Sequence, residues 1–431
     1  MNIVKLFGVI IVIAITCYLR LGVISNTIVD EPIRADAYQY YNYAYNLKYF
    51  GTYSESKIGQ EKIVPDSIRA PGYPVFLVPL IEWPPTDAML LKINLYQAIL
   101  GVFTVLFAWL IYKRMMSYRY ALIAAFLTAI SPHLVSFTVY LLTETLFTFL
   151  LVLSVWLVLI AHEKKHLALT FLAGVLIAFC ALTRPTLNYF IILVIIFIVF
   201  QCGHRQGVKY ALSMLIGFIL VFFPWTIRSM IVQNNVPSKS LIINTIHHGM
   251  YPDFIYQGIE ESKGFPYRFD PDGSKISANF KSLLAELSER FHNETWRHTS
   301  WFLLGKPIAL FSWEILNGWG DIFIYPVIKT PYIDNFIFKL SRQFMYWTHW
   351  ILISMSLCAC VVVWFPSLAR TCDSNKLFVG RLLSILIMYF LVLHIIAAPF
   401  PRYSVPIRPF NYGMAMFFLS LIASLKNKNK L

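Results

Sequence analysis

The sequence is poor in charge. Asp, Glu, Lys and Arg make up 13% of its 431 residues, against about a quarter in an ordinary soluble domain. Hydrophobic residues reach 58% and the mean hydropathy is +0.62. Together these exclude a soluble globular domain and a disordered chain, and leave an all-α polytopic membrane protein. Acids are scarcer than bases, 22 against 36, for a net charge of +14. The excess is not a nucleic-acid footprint, because the basic residues are scattered among short loops, as a positive-inside bias requires. Tandem repeats, low-complexity tracts and a second soluble domain are also missing, so one membrane domain over 1–431 is expected. Cysteines number only six. All fall in apolar segments or on the cytoplasmic side, where none can staple an external loop. Cys358 and Cys360 read as small core residues of a helix.

What is present is a series of apolar runs, each near the roughly 20 residues needed to cross a bilayer. They lie at 4–23, 88–112, 120–138, 141–161, 167–183, 187–202, 208–225, 343–365, 377–398 and 405–425, about ten spans. The first is a retained signal anchor, since no small-x-small cleavage site follows it. Cationic stretches such as "YKRMMSYR", "HEKKH" and "GHRQGVK" fall on alternate sides and go to the cytoplasm. The long segments 24–87 and 226–342 then lie outside. Trp301, Trp313 and Trp319 suit an interfacial belt, so the apolar stretch 300–342 is expected to form interfacial helices. "FKSLLAELSERF" in the same external loop has a helical pattern.

Three acids stand at the exit of the first span. Asp36, Tyr40 and Ala44 recur every fourth residue, so they share a face of one helix, with Leu47 close to the line. Asp30 and Glu31 have no such frame, because Pro32 follows at once. Rigid placement is what a catalytic group needs. Arg69 stands before the turn-forming Pro71-Gly72-Tyr73-Pro74 in the same external loop. Further ionisable and aromatic residues mark outward span ends: Glu144, Arg184, Trp225 with Arg228, and Arg402 with Tyr403. Arginine's planar fork suits phosphate at a membrane surface, and ionisable residues at membrane depth are functional candidates.

These residues carry a resemblance. "DAYQYYNYAYNLKYFGTY" is similar to the first external loop of the GT-C class of membrane glycosyltransferases, nearest to the dolichyl-phosphate-mannose protein mannosyltransferase and aminoarabinose transferase family. Arg69 to Phe76 resembles that family's R-x-P-G-Y-P-x-F. Glu144 before an apolar helix, Arg184-Pro185, Pro224 to Arg228 and Arg402 to Pro406 occur in the family's order over nearly the whole chain. The resemblance implies a GT-C-like fold and transfer of a sugar, with inversion, from a polyprenyl-phosphate donor to a protein or glycolipid acceptor on the extracytoplasmic face. It places the catalytic acid at Asp36. Many relatives have a second acid next to it, where this chain has Ala37. Arg69 and Arg402 would hold the donor phosphate. Tyr40, Tyr73, Glu144, Arg184, Arg228, His247, His248 and Tyr403 are further candidates for substrate contact. It also favours a bacterial inner membrane with the site facing the periplasm.

Some relatives bind a divalent ion, and His247-His248 offers the nearest ligands, but no closed zinc set is visible. His133 and His394 read as packing residues. Two other classes fit many spans, a secondary transporter and a non-catalytic scaffold. Against the transporter, the ionisable residues gather at one surface and the two halves are not alike.

Overall fold

A computed structural model describes residues 3–235, 241–254, 265–315, 321–365 and 372–428. They are helical almost throughout, as the apolar periodicity demands. Each of the ten apolar runs contains a helix. Seven helices are long and apolar enough to cross a membrane: α1 (Ile3–Asn26), α4 (Asp87–Tyr112), α7 (Glu144–Lys164), Pro185–Cys202, α10 (its segment His204–Val232), α17 (Phe336–Val362) and α18 (Ser374–Ile396). The run at 120–138 makes an eighth, broken into α5 (Tyr118–Ile130) and Pro132–Val139 with a bend of 48°. Proline at the break has no N–H to continue the helix. The remaining two runs fall short of the expected ten. α8 (Leu167–Thr183) has 17 residues, and α19 (Arg408–Lys428) is not apolar enough among the described residues. The chain is an integral multi-pass membrane protein.

Local signals set several helix ends. Thr86, Asn279 and Asn335 each accept a hydrogen bond from the first turn of the helix they precede. Between α8 and α10 the signal is size. A Cβ on Gly174 would sit 2.0 Å from the Met214 carbonyl oxygen, and one on Gly217 would sit 2.2 Å from that of Phe171. The two backbones touch where only glycine fits, the usual way membrane helices gain packing without a hydrophobic drive.

The residues fall into two compact units, one of Met1–Val236, Leu316–Ile387 and Val405–Leu431, the other of Pro237–Ile315 and Met388–Ser404. In the first, α8 packs on α7 and α10, α4 on α7 and α1, and α17 on α19. A feature with no sequence forewarning is a two-stranded antiparallel ladder, β1 (Ile28–Val29) with β2 (Val327–Lys329). The expected packing role of His133 holds: it is buried and bonded to Arg408.

In the second unit the "FKSLLAELSERF" pattern is indeed a helix, α13 (Phe280–Asn293). Leu283 joins Met250, Tyr251 and Ile276 in a small apolar core. Of the stretch read as interfacial, 300–315 holds the end of α14 (Thr295–Ser300), a π-helical turn (Trp301–Gly305) and α15 (Lys306–Leu310), none long enough to cross, whereas the crossing helix α17 already begins at Phe336, seven residues before the span expected at 343–365. Trp319 lies outside the described residues. All six cysteines are free.

Candidate active site

The site of the first unit begins with α2 (Ala35–Phe50), which closes on Gly51 in a left-handed conformation with its N–H bonded to the Asn46 carbonyl. Asp36 lies in the first turn, where the positive end of the helix dipole favours a carboxylate. Ala35 enters the helix at φ 48°, a conformation that costs an alanine about 1 kcal/mol or more.

The loop after α2 is tied down in several places before it delivers Arg69. Asn46 donates to the carbonyls of Ser54 and Ser56 at 2.9 and 2.8 Å. Asp66 accepts from Tyr43 and from the backbone N–H groups of Glu55 and Ile68. Arg228 donates to the carbonyls of Asp66 and Tyr53. The Tyr53 hydroxyl donates to the carbonyls of Arg69 and Ala70.

So fixed, the Arg69 guanidinium meets Asp36 Oδ1 at 2.7 Å through Nη2 and Gln39 Oε1 at 2.8 Å through Nε. Gln39 is three residues after Asp36 on the same helical face, and its amide donates to Glu55 at 2.6 Å. The guanidinium also lies 5.5 Å from the centroid of the Tyr40 ring. Tyr40 packs edge-on against Tyr73, 5.3 Å between centroids. The Tyr73 hydroxyl donates to Gln97, whose own amide donates to the carbonyls of Thr138 and Tyr140.

A second ion pair completes the cluster. Glu144 opens α7 and Arg184 follows α8, with Arg184 Nη1 donating to Glu144 Oε1 at 3.2 Å. Gly72 brings the Arg69 loop to this point: a Cβ there would meet the Leu182 carbonyl at 2.8 Å. Both ion pairs act on Tyr40. Burial raises its hydroxyl pKa, Arg69 and Arg184 pull it down, and Asp36 and Glu144 push it up. The pairs differ in solvation. Asp36 and Arg69 side chains are 23% and 25% exposed, whereas Glu144 and Arg184 are 3% and 11% exposed.

The structure thus gathers Asp36, Arg69, Tyr40, Tyr73, Glu144 and Arg184. It leaves Asp30 and Glu31 exposed by the ladder, with Glu31 4.0 Å from Arg34. Tyr73 is fully buried, and Arg228 is engaged by loop carbonyls. Gln39 and Gln97 carry no sequence signal: one is a lone amide among the tyrosines of α2, the other a lone amide in the apolar α4.

The second unit holds the other candidates. His247 Nε2 is 2.9 Å from the Tyr251 hydroxyl, which donates to Asp270 at 2.6 Å, and Asp270 pairs with Arg290 at 3.1 Å. His248 stacks on Tyr267 at 3.7 Å. Burial lowers the pKa of both histidines, that of His248 to about 4. Arg402 lies over the Tyr403 ring, which packs against His394 and Phe400. Lys306, unremarked in the sequence, is buried and donates to the carbonyls of Ile395 and Ala397 at 2.7 and 3.1 Å. Among the described residues no three His, Cys, Asp or Glu side chains converge as a metal site would need.

The fold is that of the GT-C membrane glycosyltransferases, in agreement with the resemblance carried by the motifs. The archaeal oligosaccharyltransferase AglB from Archaeoglobus fulgidus, solved with an inhibitory peptide and a dolichol-phosphate, matches at TM-score 0.52 and 15% identity, over 99% of this chain and 52% of that one. The same organism's enzyme in the apo form matches at 0.53 and 14%, over 98% and 52%. The chain therefore spans about half the length of these structures. ArnT from Cupriavidus metallidurans, bound to undecaprenyl phosphate, scores 0.42 at 11% identity, over 96% and 76%. The model of the dolichyl-phosphate-mannose-protein mannosyltransferase family matches residues 87–227. That segment includes Glu144 and Arg184 and stops outside Asp36, Arg69 and Arg228. No curated protein matches in sequence.

Proposed function

We propose that this protein is a membrane glycosyltransferase that moves a sugar from a polyprenyl-phosphate donor to an acceptor hydroxyl on the extracytoplasmic face. The observation that carries the reading is the Asp36 carboxylate, held on a rigid helix and matched at 2.7 Å to a guanidinium that Gln39 also grips. Asp36 takes the proton of the acceptor hydroxyl as that oxygen attacks the anomeric carbon. The bond from that carbon to the phosphate oxygen breaks, and its electron pair leaves on the polyprenyl phosphate. A positioned general base is worth about 10²–10⁴ in rate. Arg69 orients the base and stabilises the negative charge gathering on the leaving phosphate; the phosphate role of Arg402 rests on its R-Y-x-x-P motif.

One base and one displacement invert the anomeric centre, and Ala37 beside Asp36 supplies no second carboxylate for a covalent intermediate. The family resemblance favours a bacterial inner membrane with the site facing the periplasm, and a protein or glycolipid acceptor. The test is transfer from a panel of polyprenyl-phosphate sugars in membranes holding the wild-type chain, with the anomeric configuration of the product read by NMR. Inverted product is expected. Retained configuration would overturn the single displacement, and absence of transfer from every donor would overturn the activity.

A further inference from the structure

A cleft of about 380 Å³ opens in the first unit between the end of α1 and the start of α17, within the roughly 300–1,000 Å³ common for ligand sites. On α1 it is lined by Tyr18, Gly22 and Asn26, which recur every fourth residue and so share one face. Opposite stand Lys329 at the end of β2, Asp334 closing α16 (Pro331–Asp334), and the opening turn of α17 with Phe338. Gly22 lets the two helices close on each other, since a Cβ there would sit 2.8 Å from the Phe338 ring. Asn335 Nδ2 donates to the Tyr18 hydroxyl at 3.3 Å.

The cleft lies at the edge of the bilayer. α1 has 24 residues, about 36 Å of helix for a hydrocarbon core of about 30 Å. Its last residues therefore reach the headgroups, on the membrane face where Asp36 follows. The flanks are apolar and exposed, Leu21 on α1 and Phe336, Ile337 and Leu340 on α17, so acyl chains run beside the opening.

Two lining side chains carry opposite charges, and neither is spent. Lys329 and Asp334 are both exposed, so a ligand can reach them. Among the described residues neither makes an ion pair or a side-chain hydrogen bond, with the other or with any third group. The Asn26 amide donates to the Gly22 carbonyl at 2.9 Å, which leaves its oxygen free to accept a further bond.

We propose that this cleft binds the phosphoethanolamine headgroup of a bilayer phospholipid. Lys329 faces the phosphate, while Asp334 and the Asn26 oxygen accept from the ammonium, all charge-assisted bonds. A headgroup carrying only negative charge would meet Asp334 as a like charge. A choline nitrogen has no N–H to give to a carboxylate. The bilayer presents the headgroup at this depth with an effective concentration that a soluble molecule does not reach. Binding here does not depend on the glycosyl-transfer reading.

The experiment is native mass spectrometry of the full chain, titrated in detergent with phosphatidylethanolamine, phosphatidylcholine and phosphatidylglycerol of the same acyl chains. Glycerophosphoethanolamine is the soluble comparison. One phosphatidylethanolamine should bind saturably, about tenfold tighter than either other lipid, the effect of one charge-assisted bond. Lys329→Gln and Asp334→Asn should each remove that preference and leave the melting temperature unchanged. Lys339→Gln, an exposed position of α17 outside the cleft, should bind like wild type. Tightest binding of phosphatidylglycerol would reduce the site to a cation, and equal binding of phosphatidylcholine would remove Asp334 from it. Glycerophosphoethanolamine binding as tightly as the lipid would refute the bilayer source. A preference that survives both cleft substitutions, or no saturable lipid at all, would overturn the proposal outright.

Discussion

Replacing Asp36 by Asn keeps the side chain's size and an oxygen for Arg69 to donate to, but removes the proton acceptor. The Asp36–Arg69 pair is about a quarter exposed on both sides, so losing its charge should cost at most about 1 kcal/mol of stability. Loss of a general base should cost about 10²–10⁴ in turnover, or about 3–5 kcal/mol on the barrier. Glu144→Gln should behave in the opposite way. That pair is buried, with the Glu144 side chain 3% exposed, and breaking a buried ion pair by removing one charge costs about 3–5 kcal/mol. The two acids differ in burial and should separate cleanly in one pair of assays. Thermal melting of purified protein reads stability, and transfer from a polyprenyl-phosphate sugar reads turnover. Asp36→Asn should melt like wild type and be nearly inactive, while Glu144→Gln melts early. Normal turnover for Asp36→Asn would refute the base assignment, above all if Asp30→Asn or Glu31→Gln proved inactive. Early melting of Asp36→Asn would make the pair structural.

Arg69→Lys keeps one positive charge, but a single ammonium cannot replace a fork that reaches Asp36 and Gln39 through different nitrogens. Turnover should fall about tenfold with folding intact, and further in Arg69→Ala; equal, near-normal rates would reduce Arg69 to a surface anchor. His248 gives a pH test. Its folded pKa of about 4 lies below the ordinary 6.5, so the unfolded chain binds more protons between those values. Its contribution is therefore complete above about pH 6.5 and is lost as pH falls toward 4, in total about 3 kcal/mol. His248→Phe, which keeps a ring against Tyr267, should flatten the melting curve over that window; an unchanged slope would exclude His248. A reporter placed after Lys165 should read cytoplasmic and one near Gly273 external; the reverse would move the site away from its substrates.

The helices were legible because their signals are local. Apolar length marks the spans, Thr86, Asn279 and Asn335 cap the helices that follow, and four-residue spacing puts Asp36, Tyr40 and Ala44 on one face. Side-chain type was enough to nominate Glu144 and Arg184 at outward span ends and Arg69 before its proline-rich turn. Pairing was not legible. Asp36 and Arg69 are 33 residues apart, Glu144 and Arg184 40, and nothing in either segment states which acid meets which cation. Gln39 and Gln97 acquire meaning only from what the fold sets opposite them. Tyr73 could have faced a sugar or the core, and the depth at which Gly72 lets its loop pack against α8 decided for the core. The ladder between Ile28–Val29 and Val327–Lys329 joins segments about 300 residues apart, too short and too distant for any pattern to announce. Hydrophobic period and capping act within one or two turns of chain and can be read in order. Burial and charge pairing depend on which surfaces meet, and that is settled only when the chain has packed.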